Sequence, residues 1–70
     1  MQETFIASSS HLQRADYDSE TRALQVTFRD GQTYEYAGVP YDVWLGLQNS
    51  GSAGEYHARQ IRGRYPYEQL

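Results

Sequence analysis

The chain has 70 residues, a formal charge of −3 and no cysteine, which bounds it to one small domain without a disulfide framework or a thiolate metal site. A domain this size buries only about 60% of the surface its unfolded chain exposes, so its seven Tyr, two Phe and one Trp have to supply the core, each ring burying roughly 150–250 Å². No apolar stretch approaches the roughly 20 residues of a membrane span, and the start lacks the charged n-region and apolar run of a signal peptide, so a cytoplasmic protein that does not enter membranes is expected.

Residues 1–8 read as a loose lead-in, ordered only if Phe5 and Ile6 dock on something, and residues 9–70 as a single domain. Ser8-Ser9-Ser10 is a turn or the beginning of a strand, and Leu12 to Tyr17 reads as an extended strand whose alternation is poor. Asp18-Ser19-Glu20-Thr21 is a turn in which the Asp side chain bonds the backbone two residues on. Leu24, Val26 and Phe28 then alternate with polar residues at the period of a half-buried strand, as do Tyr34 and Tyr36 beyond Asp30-Gly31.

The facing of these side chains selects the turn between them. A two-residue loop at Asp30-Gly31 would pair Phe28 with Thr33 and split the apolar set between two faces. A three-residue loop, Arg29-Asp30-Gly31 with Gly31 in the left-handed bulge position, pairs Phe28 with Gln32, Val26 with Tyr34 and Leu24 with Tyr36. The bulged hairpin is therefore expected, with Gln25, Thr27, Thr33 and Glu35 on the opposite face.

Val39-Pro40 ends the sheet and opens a helix, with Pro40 at or near its first position and Asp42 in its first turn. Val43, Trp44 and Leu47 form its apolar stripe, and Gln48-Asn49-Ser50-Gly51 stops it. Ser52-Ala53-Gly54-Glu55 has capping-box spacing and predicts a second helix from about Ala53 to Arg62. Tyr56 or His57 faces inward with Ile61, Arg59 and Arg62 share a neighbouring face, and Gly63 is the C-cap. The fold class that results is α+β, a three-stranded antiparallel sheet followed by two short helices packed on one face.

Charge is distributed unevenly. Residues 1–55 hold three arginines against eight acids, and residues 56–70 hold three arginines against Glu68 alone, giving −5 and +2. Net acidity argues against indiscriminate nucleic-acid binding, although a local basic patch acts within a Debye length of about 8–10 Å. The best candidates for contact with a partner are Arg59, Arg62, Arg64, Tyr65 and Tyr67, because guanidinium forks grip phosphate and phenol rings stack on bases or peptides. Pairing of those arginines with carboxylates such as Asp42 or Glu55 is the competing account. Tyr34 and Tyr36 fit a base-stacking surface or the core, and the scarcity of apolar residues favours the core.

No catalytic, cofactor or metal site is assigned. Asp16, Asp18 and Glu20 flank a turn, where burial rarely perturbs a carboxyl, and neither histidine lies in an HExxH or nucleophile-elbow context. Gly51-Ser52-Ala53-Gly54 has the spacing of a GxxG nucleic-acid loop, but neither middle residue is basic and a helix–helix turn explains it.

The residues Ser9-Ser10, Tyr17-Asp18, Thr21, Leu24-x-Val26-x-Phe28, Gly31, Tyr34-Glu35-Tyr36, Gly38-Val39-Pro40 and Ile61-Arg62-Gly63-Arg64-Tyr65-Pro66-Tyr67, in this order over residues 9–67, resemble the KTSC domain, a family found alone in bacterial and phage proteins and appended to some lysyl-tRNA synthetases. The resemblance implies a small domain with a role in RNA binding. The chain departs from that pattern at His57-Ala58-Arg59 and Glu68-Gln69, where relatives carry an amide and further basic residues. The expectation is a non-catalytic module that binds RNA or another phosphate-rich partner through its C-terminal Arg/Tyr surface. A protein–protein adaptor using the same surface is the alternative, and a small hydrolase would need a buried carboxylate or histidine in a cleft.

Overall fold

A computed structural model describes residues 2–7 and 11–70, so the expected turn at Ser8-Ser9-Ser10 lies outside the described residues. The elements are β1 (Gln2–Ile6), β2 (Leu12–Asp18), β3 (Ala23–Phe28), β4 (Thr33–Tyr36), α1 (Tyr41–Asn49), α2 (Ala53–Tyr56) running into a π-helical turn (His57–Ile61), and β5 (Tyr67–Gln69). The class is α+β with an antiparallel sheet and helices on one face, but the sheet has five strands in the order β1-β2-β3-β4-β5 instead of the expected three. The two extra strands are its edges. In β1 the alternation is inverted: Ile6 points to solvent at 69% exposure, and it is Phe5, paired with Ala15, that packs on the core. All three residues of β5 are exposed, and ladder bonds such as Ala37 N to Pro66 O and Leu70 N to Thr33 O, 3.0 and 2.9 Å, define this strand.

The β3–β4 hairpin has the expected register, Leu24 with Tyr36 and Val26 with Tyr34. Phe28 N donates to Gln32 O at 2.8 Å and Gly31 N to Phe28 O at 3.0 Å. Gly31 sits at φ 91°, a left-handed conformation that side chains resist. On the outer face Gln25 Nε2 donates to Glu35 at 2.9 Å and the Thr27 and Thr33 hydroxyls meet at 3.1 Å, cross-strand pairs of the kind that stabilise a solvated sheet face. The poor alternation of β2 has a simple cause. Its register against β3 slips between Leu12 and Arg14, and this bulge lets Leu12, Ala15 and Tyr17 all point inward although their spacing is not uniformly two.

The helices cover that inner face. Pro40 precedes the first turn of α1, and Asp42 accepts from Val43 N at 3.1 Å. Asn49 and Ser50 side chains bond the carbonyls of Leu45 and Leu47 at its end, satisfying acceptors that the helix leaves open. Trp44 is fully buried and stacks on Tyr17 at 5.3 Å, a burial worth at most roughly 5 kcal/mol. Tyr17 also donates a buried 2.7 Å hydrogen bond to Val39 O, pinning the approach to α1 onto β2. Ser52 Oγ accepts from Glu55 N at 3.3 Å, as the capping pattern predicts, so Gly51-Ser52-Ala53-Gly54 is the helix–helix turn and cap. The second helix begins where expected but widens after Tyr56, and Arg62 N reaches back five residues to His57 O at 2.8 Å, a π-type bond.

Candidate functional site

Between the β3–β5 side of the sheet and the α2/π segment runs an open groove of about 740 Å³. The sheet contributes Phe28, Tyr34, Tyr36 and Tyr67, the helical side contributes Glu55, His57 and Arg62, and Asp30 stands on the rim. The rings form a closed circuit. Phe28 meets Tyr34 edge-on at 5.7 Å, Tyr34 meets Tyr67 at 5.7 Å, Tyr67 meets Tyr36 at 5.9 Å, Tyr36 meets His57 at 5.4 Å, and His57 returns to Phe28 at 5.1 Å. These separations are those of favourable edge and offset ring pairs. The register produces the circuit: Phe28, Tyr34 and Tyr36 share the inner face of the hairpin, and β5 brings Tyr67 opposite Tyr36.

At the base of the groove the Tyr36 hydroxyl and His57 Nε2 are joined by a 2.7 Å hydrogen bond. His57 is only 5% exposed, and burial, reinforced by the Arg62 charge, lowers its pKa from 6.5 to about 4. The imidazole is therefore neutral at pH 7. His57 is thus the buried histidine in a cleft that a hydrolase would need, but its hydrogen-bond partner is the Tyr36 phenol, which burial makes harder to ionise, the opposite of an activated nucleophile. Burial likewise raises the Tyr36 phenol, with Tyr34 adding to the rise and Arg62 opposing it. Arg62 thus places its charge at the inner wall of the groove while its own side chain stays exposed.

The remaining predicted site residues are distributed around this groove. Arg59 is exposed and borders a second, shallower hollow of about 400 Å³ beside the α1–α2 turn, together with Ser50, Ser52, Glu55 and Gln60. Arg64 is exposed and its Nε donates to Arg59 O at 3.1 Å, tying the chain beyond Gly63 to the end of the π turn. Tyr67 is 63% exposed at the mouth of the groove, whereas Tyr65 is half-buried and packs against the core. The structure therefore brings Arg62 and Tyr67 together in one groove and sets Arg59, Arg64 and Tyr65 outside it. Among the described residues no carboxylate lies within ion-pair distance of Arg59, Arg62 or Arg64. Tyr36 is buried and Tyr34 half-buried, so both belong to the core and also line the groove. Phe28, His57, Asp30 and Glu55 are groove residues that charge and motif spacing do not single out. The hairpin register alone put Phe28 beside Tyr34.

The acids of the N-terminal half have local employment. Asp16 takes a 2.9 Å ion pair from Arg14 and a 2.6 Å hydrogen bond from Thr4, and the Arg14 hydrogen bond chiefly holds its carboxyl below the usual range. Asp18 is lowered by the Glu20 backbone N–H, which it accepts at 2.9 Å. Neither is raised toward neutrality as a general acid would be. Among the described residues no helix is long and apolar enough to cross a membrane.

The family model of the KTSC domain matches residues 8–65. The chain is 39% identical over 61 residues to a lysine–tRNA ligase of Trichormus variabilis, and 34% identical over 61 residues to that of Nostoc punctiforme, covering 87% of this chain in each case. It spans only 11% of the length of those two ligases. Its fold is similar to the crystal structure of a KTSC domain protein from Yersinia pestis, with a TM-score of 0.91 and 28% identity over 100% of this chain and 99% of the other. With the family model matched over most of its length, the chain belongs to the KTSC domain family.

Proposed function

We propose that this domain is a non-catalytic binding module for RNA, gripping phosphates with Arg59, Arg62 and Arg64 and presenting the Tyr67 ring beside them. The observation that carries this reading is the set of three exposed guanidiniums without carboxylate partners among the described residues, next to an open aromatic groove. Exposed guanidinium forks match phosphate geometry, and aromatic rings beside them offer stacking that every base accepts. The relatives named lysine–tRNA ligases support it in a second way, because a domain carried by a protein that acts on tRNA operates in the presence of RNA.

Titration of labelled tRNA at low and moderate salt tests the proposal. Three phosphate contacts on single-stranded segments predict a log–log salt slope of about −2, and replacing all three arginines with Ala should flatten it. Absence of binding at both salt concentrations removes the reading. An adaptor role is the other outcome: the exposed Tyr67 and Leu70 at the β5 edge then mark a protein contact, and capture of one purified protein partner that survives nuclease treatment supports it.

A further inference from the structure

Resting on the RNA reading, we infer that the five-ring groove is a pocket for a single unpaired nucleobase and that Glu55, with Asp30, selects bases presenting N–H donors, guanine above all. The rings of Phe28, Tyr34, Tyr36, His57 and Tyr67 surround one open volume, and Tyr67 is exposed enough to move against an incoming base. A splayed-out base gains stacking on such rings in place of the stacking it leaves behind.

The rim supplies the charge complementarity. Glu55 and Asp30 stand on the same groove as Arg62. Glu55 is exposed and, among the described residues, its carboxylate has no partner. Asp30 Oδ1 accepts from Gln32 N at 3.0 Å, which holds that side chain in place at the hairpin turn. Ionised carboxylates only accept hydrogen bonds. Guanine offers adjacent N1–H and N2–H donors that one carboxylate accepts together. Adenine and cytosine offer an exocyclic amine beside a ring acceptor. Uracil offers one N–H flanked by two carbonyls, which a carboxylate repels. Arg62 lies where it can meet the phosphate of the nucleotide so held, and the neutral His57 leaves the acids unneutralised. A groove built only for phosphate would not carry two carboxylates on its rim.

The test is fluorescence anisotropy of the full chain with labelled short oligouridylate and with the same strand carrying one guanine, adenine or cytosine at its centre, at fixed salt. The expected order is guanine tightest and uracil weakest, with a guanine preference of at least about fivefold, the lower end for a bidentate base contact. Glu55→Gln should abolish most of that preference, weakening the guanine-bearing strand relative to oligouridylate, whose own affinity should rise as the repelling carboxylate is removed, while the circular dichroism spectrum stays unchanged. Tyr67→Ala should weaken the guanine-bearing strand more than oligouridylate. Equal binding of all four strands, or a guanine preference intact in Glu55→Gln, overturns the base pocket and leaves the RNA reading standing. Binding of none of the strands or of tRNA ends both. Displacement of RNA by tetramethylammonium, with no discrimination among bases, also overturns the pocket and identifies the groove as a cation cage.

Discussion

His57 makes the fold acid-sensitive in a defined window. Its folded pKa is about 4 against an unperturbed 6.5, so the unfolded chain takes up a proton at a pH where the folded chain still refuses it. The depressed folded value means that the contribution is fully present above the unfolded pKa and is lost as pH falls from about 6.5 towards 4. With complete burial the difference would be worth roughly 3 kcal/mol. The groove admits solvent to one side of the ring, and screening reduces this to about 2 kcal/mol. Arg62 faces the imidazole from the end of the π turn, Tyr36 and Phe28 from the sheet, and His11, Asp30 and Glu55 line the same groove. Protonation also conflicts with Arg62 and, where Nε2 is the acceptor, with the Tyr36 bond. Urea denaturation at about pH 7 and about pH 4.5, compared between the native chain and His57→Gln, isolates the term, because the lowered Asp16 and Asp18 contribute equally to both proteins. The native chain should lose about 1.5–2 kcal/mol more than the variant over this interval. Equal losses would show that the imidazole is solvated and protonates freely, and would refute the account of the groove's base.

Further substitutions test the turn and the packing. Gly31→Val should destabilise by about 1–3 kcal/mol from backbone strain alone, since nothing lies within 4 Å of an added Cβ there; Gly51→Ala, equally open and without a left-handed φ, should be near neutral in the same denaturation assay, and equal effects would refute the bulged turn. Tyr17→Phe removes the 2.7 Å bond to Val39 O and leaves a buried carbonyl unsatisfied, so a loss of about 1–2 kcal/mol is expected, with no loss indicating that water replaces the hydroxyl. Gly46→Ala drives a methyl into the Tyr56 ring, 2.7 Å from Cζ; overpacking of about 1–3 kcal/mol should outweigh the roughly 1 kcal/mol gain in helix propensity. In a Tyr56→Ala background the same change should become neutral or stabilising, and additivity of the two would show that they do not touch.

How far the fold could be read depends on where each constraint resides. The β3–β4 register was legible because only one turn type keeps Phe28 on the side of Tyr34 and Tyr36, and Asp18 and Ser52 declared their turn and cap through local side-chain chemistry. The edge strands were not. Glu3 and Phe5 face inward while Ile6 faces out, which defeats a hydrophobic pattern, and β5 has three exposed residues whose strand character comes from partners more than 30 positions away. The bulge between Leu12 and Arg14 looked like weak alternation, since inserting a residue erases the period that identifies a strand. The π turn has no composition signal. Of the candidate site, the density of arginine was visible, but its division between two hollows was not, because Arg62 leaves the helix with ψ 126° just where an α-helix would have kept it in line with Arg59.

The sheet also explains how a chain of net charge −3 presents uncompensated cations. Asp16, Glu35 and Glu68 project from the outer face, since each alternates with an inward-facing neighbour, and Asp16 and Glu35 are occupied by Arg14 and Gln25. Arg59 and Arg62 belong to the helical segment on the other face. The sheet and the core packed beneath the helices lie between the two surfaces, and charges further apart than the Debye length of about 8 Å at physiological salt are largely screened. Acids behind the sheet therefore do little to cancel the field in front of it, while Glu55 and Asp30, which stand on the groove itself, are felt in full. Under the proposed reading this division matters more than net charge: attraction to phosphate is set by the arginines of the helical side, and discrimination by the two carboxylates close enough to touch what enters the groove.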